Sequence, residues 1–120
     1  MIYKKVSKSK AAKILKISIQ KHSEGNINEA EKYYRKFLES GYTNPDVLSN
    51  YGVICKQSGR KQKAIELYKK AVKLYPSNAE AFSNLGSLLL EINKTNEAVF
   101  YLRKALELRE DFANAHFNLG

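Results

Sequence analysis

Cysteine, tryptophan and proline are scarce in this chain of 120 residues, which has one Cys, no Trp and two Pro. The lone cysteine, Cys55, excludes an internal disulfide framework and fits a reducing compartment. No run of about 20 apolar residues occurs, so the sequence contains no candidate transmembrane span. Residues 1–22 also lack the unbroken apolar stretch of a secretory signal. Together these absences predict a cytoplasmic protein.

Acidic residues are missing from the start of the chain, where seven lysines precede the first acid, Glu24. Of the total net charge of +9, residues 22–120 carry only +2. A basic N-terminal arm on a nearly neutral body describes this distribution better than a basic domain does. Such an arm is usually solvated, which argues against nucleic acid as the partner. Binding of nucleic acid or an anionic membrane through the arm is the weakest of three functional hypotheses.

The residue clusters of enzymes and metal sites are absent as well. His22 and His116 lie 94 residues apart, and no Cys or carboxylate cluster has metal-ligand spacing. Gly-rich phosphate loops and nucleophile elbows do not occur. The sequence therefore predicts no catalytic residue, no metal, no cofactor and no small-molecule substrate. His22 stands near a predicted helix end, where a histidine commonly meets the last carbonyls.

A period of 34 residues organises almost all of what is present. The motif Ser83-Asn84-Leu85-Gly86 has counterparts 34 residues earlier, at Ser49-Asn50-Tyr51-Gly52, and 34 residues later, at Phe117-Asn118-Leu119-Gly120. In a frame that starts at residue 11, the eighth place is always small and the twentieth is always alanine. Bulky residues recur at the fourth, seventh and twenty-fourth places, which include Leu48, Tyr51 and Tyr68 in the second repeat. A fixed period of this length indicates a helical repeat protein.

Each repeat contains two stretches with apolar positions three and four residues apart, as amphipathic helices require. The spacing predicts seven helices, at 11–23, 27–40, 45–58, 61–74, 79–92, 95–108 and 113–120. Cys55 lies on the apolar side of the third helix and reads as a small core residue. His116 takes the fourth place of its repeat, where a packing residue belongs.

Local signals mark several helix boundaries. Asn44 followed by Pro45 predicts a capped helix start, and Ser77 with Glu80 three residues later reads as a capping box. Gly59 falls at a turn where a positive φ can end a helix. Ser7 or Ser9 marks the start of a possible lysine-rich extension of the first helix into residues 1–10, which are otherwise an arm.

The period and these small and bulky places resemble the tetratricopeptide repeat (TPR) family, whose unit is two antiparallel helices. The resemblance covers residues 11–120 and implies an all-α, right-handed α-solenoid of about three repeats plus a half repeat. The repeats are 11–44, 45–78, 79–112 and a partial 113–120, after a basic arm at 1–10. Since a complete array normally closes with a polar outer face, we expect the chain to be a fragment of a longer repeat protein. The partial repeat would fray or associate weakly with a second copy through its apolar edge.

The family resemblance also implies a binding surface, because the first helix of each TPR lines a concave groove that holds peptides. The places that face the groove are the second, fifth, sixth, ninth, twelfth and thirteenth. In this sequence the implied peptide-binding residues are Asp46, Ser49, Asn50, Val53, Lys56, Gln57, Glu80, Ser83, Asn84, Ser87, Glu91 and Asn118.

Asn50, Asn84 and Asn118 recur at the sixth place, where carboxamides can pair with peptide backbone whatever its side chains. This pattern is similar to the asparagine ladder in the TPR arrays of O-linked N-acetylglucosamine transferases. Helix–helix hydrogen bonding is the alternative reading of the same asparagines. Chaperone-binding TPRs instead clamp a C-terminal carboxylate with Lys, Asn and Arg. The corresponding places here hold Leu15, Ile19, Asn50, Glu80 and Asn84. Only Asn50 matches, so the resemblance argues against a chaperone-tail receptor.

Three functions thus remain in order of preference. The first is a protein-interaction scaffold, not an enzyme, that binds an extended peptide or partner segment in the TPR groove. The alternative is the N-terminal targeting or substrate-recruiting segment of a larger enzyme of the glycosyltransferase, sulfotransferase or methyltransferase type. Binding through the lysine arm comes third.

Overall fold

Six α-helices make up the computed structural model, which describes the backbone of residues 6–119 and the side chains of residues 6–110. No strand occurs within those bounds. The helices are α1 (Lys8–Ser23), α2 (Ile27–Glu39), α3 (Pro45–Gln57), α4 (Lys61–Leu74), α5 (Ala79–Glu91) and α6 (Thr95–Leu119). They pack as three antiparallel pairs, α1 with α2, α3 with α4 and α5 with α6, and each pair packs on the next. The all-α solenoid predicted from the repeat is confirmed.

The two helices of a pair approach closely at the small places of the frame. Ala30, Ala64 and Ala98 are all completely buried. In the second pair, a Cβ added to Gly52 would come within 3.0 Å of ring atoms of Tyr68 on α4. A methyl group would not fit there without movement of the ring. The eighth and twentieth places are therefore small because helix packing requires it.

The turn inside each pair uses one backbone device. Gly25, Gly59 and Asn93 occupy the same place of the frame and have φ values of 79°, 85° and 66°. The left-handed conformation of this residue ends the first helix and redirects the chain into the second. The predicted role of Gly59 is confirmed, and glycine or asparagine stands there because both tolerate positive φ.

Helix starts follow the predicted capping chemistry with one exception. Ser7 accepts a hydrogen bond from the Lys10 amide at 3.2 Å, so α1 extends into the predicted arm. Asn44 caps α3 by accepting from the amides of Asp46 and Val47. The capping box predicted at Ser77 was wrong, because Asn78 caps α5 and accepts from the Ala81 amide at 3.2 Å. Asn is at least as good an N-cap as Ser and stands in frame with Asn44.

The predicted separate helix at 113–120 is absent, since α6 continues without interruption to Leu119. α4 ends at Leu74, and Pro76 follows two residues later. The same place of the frame after the predicted end of α6 holds Glu110. A helix stops where proline removes a donor and clashes with the preceding turn, and no proline or glycine lies between Leu108 and Ala113. The predicted packing of His116 falls outside the described side chains.

The first repeat differs from the others in burial. Ile17 is 36% exposed, whereas Tyr51 at the same place of the second repeat is 5% exposed. No preceding helix pair covers α1 in the described part of the chain. Val6, just before α1, is nevertheless bonded to the segment between α2 and α3, because the Tyr42 hydroxyl donates to the Val6 carbonyl at 2.7 Å.

Candidate functional site

The first helices of the three pairs form one layer of the solenoid and the second helices form the other. Ile19, His22 and Ser23 on α1 and Asn50 on α3 line a shallow cavity of about 240 Å³, with Tyr34 of α2 at its base. The next first helix, α5, packs beside α3. In a stack of helical pairs that each turn slightly, one layer lies on the concave side, and the family resemblance assigns that side to the first helices. We name it the inner surface, lined by α1, α3 and α5.

The hydroxyl of Tyr34 joins three helices beneath the inner surface. The side chain is fully buried, and its hydroxyl shares a 2.8 Å hydrogen bond with Nδ1 of His22 on α1. It also accepts a 3.2 Å hydrogen bond from Nδ2 of Asn50 on α3. Burial raises the pKa of Tyr34, with a smaller contribution from the Asp46 carboxylate, so the phenol stays neutral in the physiological range. Asn50 therefore links two repeats while it faces the inner surface.

His22 does not play the role expected from its place near the helix end. Its ring stands edge-on to Tyr34, with centroids 5.8 Å apart, and its Nδ1 bonds to the Tyr34 hydroxyl rather than to the last carbonyls of α1. The hydrogen bond of Asn50 supports the helix–helix reading of that residue, although its other N–H and its Oδ1 make no bond among the described residues.

One repeat further along, the equivalent asparagine has no such partner. Nδ2 of Asn84 is buried and makes no hydrogen bond within the described residues. Tyr68, which stands in frame with Tyr34, is 1% exposed, and burial raises its pKa to about 12. The Cys55 thiol and the carboxylates of Glu91 and Glu80 raise that pKa further. At this junction the Asn84 amide nitrogen therefore makes no bond to the buried Tyr68 phenol, unlike Asn50 and Tyr34 in the preceding repeat.

The predicted groove residues divide by burial. Five of them are exposed, namely Asp46, Gln57, Glu80, Ser87 and Glu91. Another five are half-buried, namely Asn50, Val53, Lys56, Ser83 and Asn84. Ser49 is only 3% exposed, so its side chain is not presented to a ligand. Asn118 lies outside the residues whose side chains are described.

Sequence reasoning missed the contribution of the first repeat to the inner surface. Ile19 is 44% exposed and forms a wall of the cavity, and His22 and Tyr34 form its polar base. The frame aligns Tyr34 with Tyr68, but no local pattern indicates that His22 reaches Tyr34 across the pair. The twelfth place of the repeat holds His22, Lys56 and Leu90, and these dissimilar residue types do not indicate the contact.

The remaining chemistry of the described residues is sparse. Cys55 is fully buried, as predicted for a small core residue, and burial raises the pKa of its thiol. Among the described residues, no group of three or more His, Cys, Asp or Glu side chains is arranged to hold a metal ion. No helix in the described part of the chain has the length and apolar character needed to cross a membrane.

Comparison with solved structures identifies similar folds. The chain superposes on MamA with a TM-score of 0.78 and 23% identity, over 87% of this chain and 61% of that chain. The first TPR domain of Spaghetti (RPAP3), bound to the HSP90 peptide SRMEEVD, gives a TM-score of 0.75 and 24% identity, over 90% of this chain and 84% of that chain. The Sgt2 TPR domain from Aspergillus fumigatus gives a TM-score of 0.72 and 21% identity, over 90% of this chain and 70% of that chain. This chain spans about three fifths of the length of the MamA structure.

Curated proteins provide no match to the sequence. A family profile does match, however, and covers residues 14–118, which include all three helix pairs except the first two turns of α1. Its description is the middle TPR-like domain of cilia and flagella-associated protein 70. The helix pairs, the small residues at their contacts and this match agree, and the chain belongs to that TPR-like domain family.

Proposed function

We propose that this chain is a protein-interaction module that binds an extended segment of a partner protein along the inner surface. The observation that carries the proposal is the buried Nδ2 of Asn84, which has no hydrogen-bond partner among the described residues. An unsatisfied buried donor costs about 1–3 kcal/mol. Because Nδ2 is buried in the free chain, a rotation of the Asn84 carboxamide toward the inner surface would bring it to a backbone carbonyl of a bound segment, whatever the side chains of that segment.

Asn50 supports the same surface in a different way. Its bond to the Tyr34 hydroxyl holds the carboxamide in one orientation and leaves Oδ1 and one N–H for a ligand. A polar group that is already oriented loses less side-chain entropy on binding. In this proposal Asn84 is the main ligand contact and Asn50 is a positioned second contact.

The solved neighbours support a peptide as the ligand class, since the Spaghetti domain was solved with an HSP90 peptide. The ligand proposed here differs from a chaperone tail. Leu15 and Ile19 replace the cationic and amide groups of a carboxylate clamp, and the exposed Glu80 would repel a terminal carboxylate. We therefore propose an internal segment of the partner rather than its C-terminus.

Selection of a displayed library of random peptides on the folded chain would test the proposal. The tightest peptide is then made synthetically, and its affinity is measured by fluorescence anisotropy for the wild type and for Asn84→Ala. Loss of one hydrogen bond in a desolvated groove is expected to weaken binding by about 5- to 100-fold. The Tm of the variant should stay the same or rise slightly, since alanine is the better helix former.

Asn96→Ala is the matched control, because Asn96 is an exposed asparagine on α6, away from the inner surface. It should leave affinity unchanged. Equal affinity of the wild type and Asn84→Ala for every selected peptide would overturn the proposal.

A further inference from the structure

The charge of the inner surface changes sign from one end to the other. α1 contains five lysines and no acid, which gives it a charge of +5 with His22 neutral. α3 contains Asp46 and Lys56 and is neutral overall. α5 contains Glu80 and Glu91 and no base, which gives it −2. The three helices that line the surface therefore run from positive through neutral to negative.

At the places that face the inner surface, α1 has Lys16 alone, α3 has Asp46 and Lys56, and α5 has Glu80 and Glu91. Lys16 is exposed and occupies the same place of the frame as Asn50 and Asn84. At the other end, Glu80 and Glu91 are exposed residues of α5, the helix that also holds Asn84. The sign change is thus present beside the amides that the proposed function assigns to the ligand.

Few of these charges are neutralised by ion pairs in the described part of the chain. Among the described residues, Lys21 is the only lysine of α1 in an ion pair, with Glu24 at 3.8 Å. Lys8, Lys10, Lys13 and Lys16 have no carboxylate partner there, and neither Glu80 nor Glu91 has a cationic one. Both ends of the surface can therefore pair with charges on a ligand.

We infer that the inner surface binds an extended protein segment whose acidic half lies over α1 and whose basic half lies over α5. This inference rests on the proposed function and adds the charge order of the partner. Helices pack about 10 Å apart and an extended chain advances about 3.3 Å per residue. A segment of roughly 6–9 residues is therefore long enough to cross all three helices.

The charge order contributes specificity more than affinity. An exposed ion pair changes affinity by no more than about fivefold, and this contribution falls as salt rises. A segment in the opposite order meets like charges at both ends unless it reverses its chain direction. A uniformly acidic chain, such as a nucleic acid, would be attracted at α1 and repelled at α5.

Synthetic peptides of about 9 residues, the length that crosses the surface, test the inference directly. One has a Glu block and a Lys block separated by Ala and Ser, and is made in both chain directions. A second has the same composition with Glu and Lys alternating. The third and fourth replace the charged blocks with Glu only or Lys only. Affinities are measured by anisotropy at low and at high salt.

The blocked peptide, in at least one chain direction, is expected to bind about 5- to 20-fold more tightly than the alternating peptide at low salt. The preference should shrink at high salt. Lys16→Glu should weaken the blocked and all-Glu peptides, and Glu80→Lys should weaken the blocked and all-Lys peptides. Lys69→Glu and Glu107→Lys, which make the same charge changes on exposed positions of α4 and α6, are the controls and should leave the preference intact.

Equal affinity of the blocked and alternating peptides would overturn the inference, as would control variants that act as strongly as Lys16→Glu and Glu80→Lys. Failure of the proposed function has a different signature. In that case the charge preference persists, but Asn84→Ala changes the affinity of none of the peptides.

Discussion

Tyr68 lies directly over Gly52, and three ring atoms stand within 3.0 Å of the position that a Cβ would take. The ring is 1% exposed and belongs to the core between α3 and α4. The contact sets how closely the two helices of the second pair approach.

Gly52→Ala is expected to destabilise the protein even though alanine is the better helix former by about 1 kcal/mol. The added methyl overlaps a buried, rigid ring, and overpacking of this kind costs about 1–3 kcal/mol. We expect a net loss of up to about 2 kcal/mol in the free energy of unfolding, measured by urea denaturation.

Gly86→Ala is the matched comparison in the third pair. Its Cβ would meet the half-buried Leu102 side chain, which can change rotamer, and would stand 3.2 Å from the Ala98 carbonyl oxygen, so the loss should be smaller than for Gly52→Ala. In the first pair, Ser18 holds the equivalent place and is completely buried. An increase in stability for Gly52→Ala would contradict the packing argument.

Asn50 and Asn84 are expected to differ in stability although they share one place of the repeat. Asn50→Ala removes a hydrogen bond to the Tyr34 hydroxyl and should cost about 0.5–1.5 kcal/mol, partly offset by helix propensity. Asn84→Ala removes a donor that has no partner in the described structure and should cost nothing. Thermal unfolding of both variants tests this, and equal losses would mean that Asn84 also has a structural bond.

Tyr68 makes stability sensitive to alkaline pH. Its pKa is about 12 in the folded protein, against an ordinary value of 10.0, because burial disfavours the phenolate. Below pH 10 the phenol is neutral in both the folded and the unfolded state, so it causes no loss in the free energy of unfolding there. Between about pH 10 and 12 the unfolded state ionises first, and the free energy of unfolding should fall by about 2–3 kcal/mol.

Urea unfolding followed by circular dichroism, at several pH values through that window, should show this loss. Tyr68→Phe should reduce the loss without abolishing it, because burial also raises the pKa of Tyr34 and Tyr51. A pH dependence in Tyr68→Phe identical to that of the wild type would contradict the assignment.

Proline at position 110 is expected to end α6 early. Glu110 stands in frame with Pro76, and Glu110→Pro would remove one helical hydrogen bond and clash with the preceding turn at a cost of about 3 kcal/mol. The segment beyond it is too short to hold a helix by itself. Circular dichroism should show the loss of about three turns of helix. Glu110→Ala, the control, should lose none, and full helicity of the proline variant would contradict the continuous α6.

Residue spacing alone was sufficient for α1 to α5, the start of α6 and much of the core. Ala30, Ala64 and Ala98 were recognisable at a constant place, and all are fully buried. Gly59 was recognisable as a turn residue and has a positive φ. Such features are encoded by residues within one or two turns of each other, where helical periodicity and backbone preference act.

The tertiary structure decided what depends on several elements meeting. Asn78 rather than Ser77 caps α5, and α6 continues past Leu108. Each helix boundary depends on which backbone N–H and C=O groups lack a hydrogen-bond partner inside the helix. Whether Asn50 and Asn84 bind a neighbour or face a ligand depends on distances between repeats, which the shared sequence motif does not contain. Tyr34 reaches Asn50 and His22, whereas the amide of Asn84 is buried with no partner among the described residues, because hydrogen bonds depend on fractions of an ångström that only packing sets.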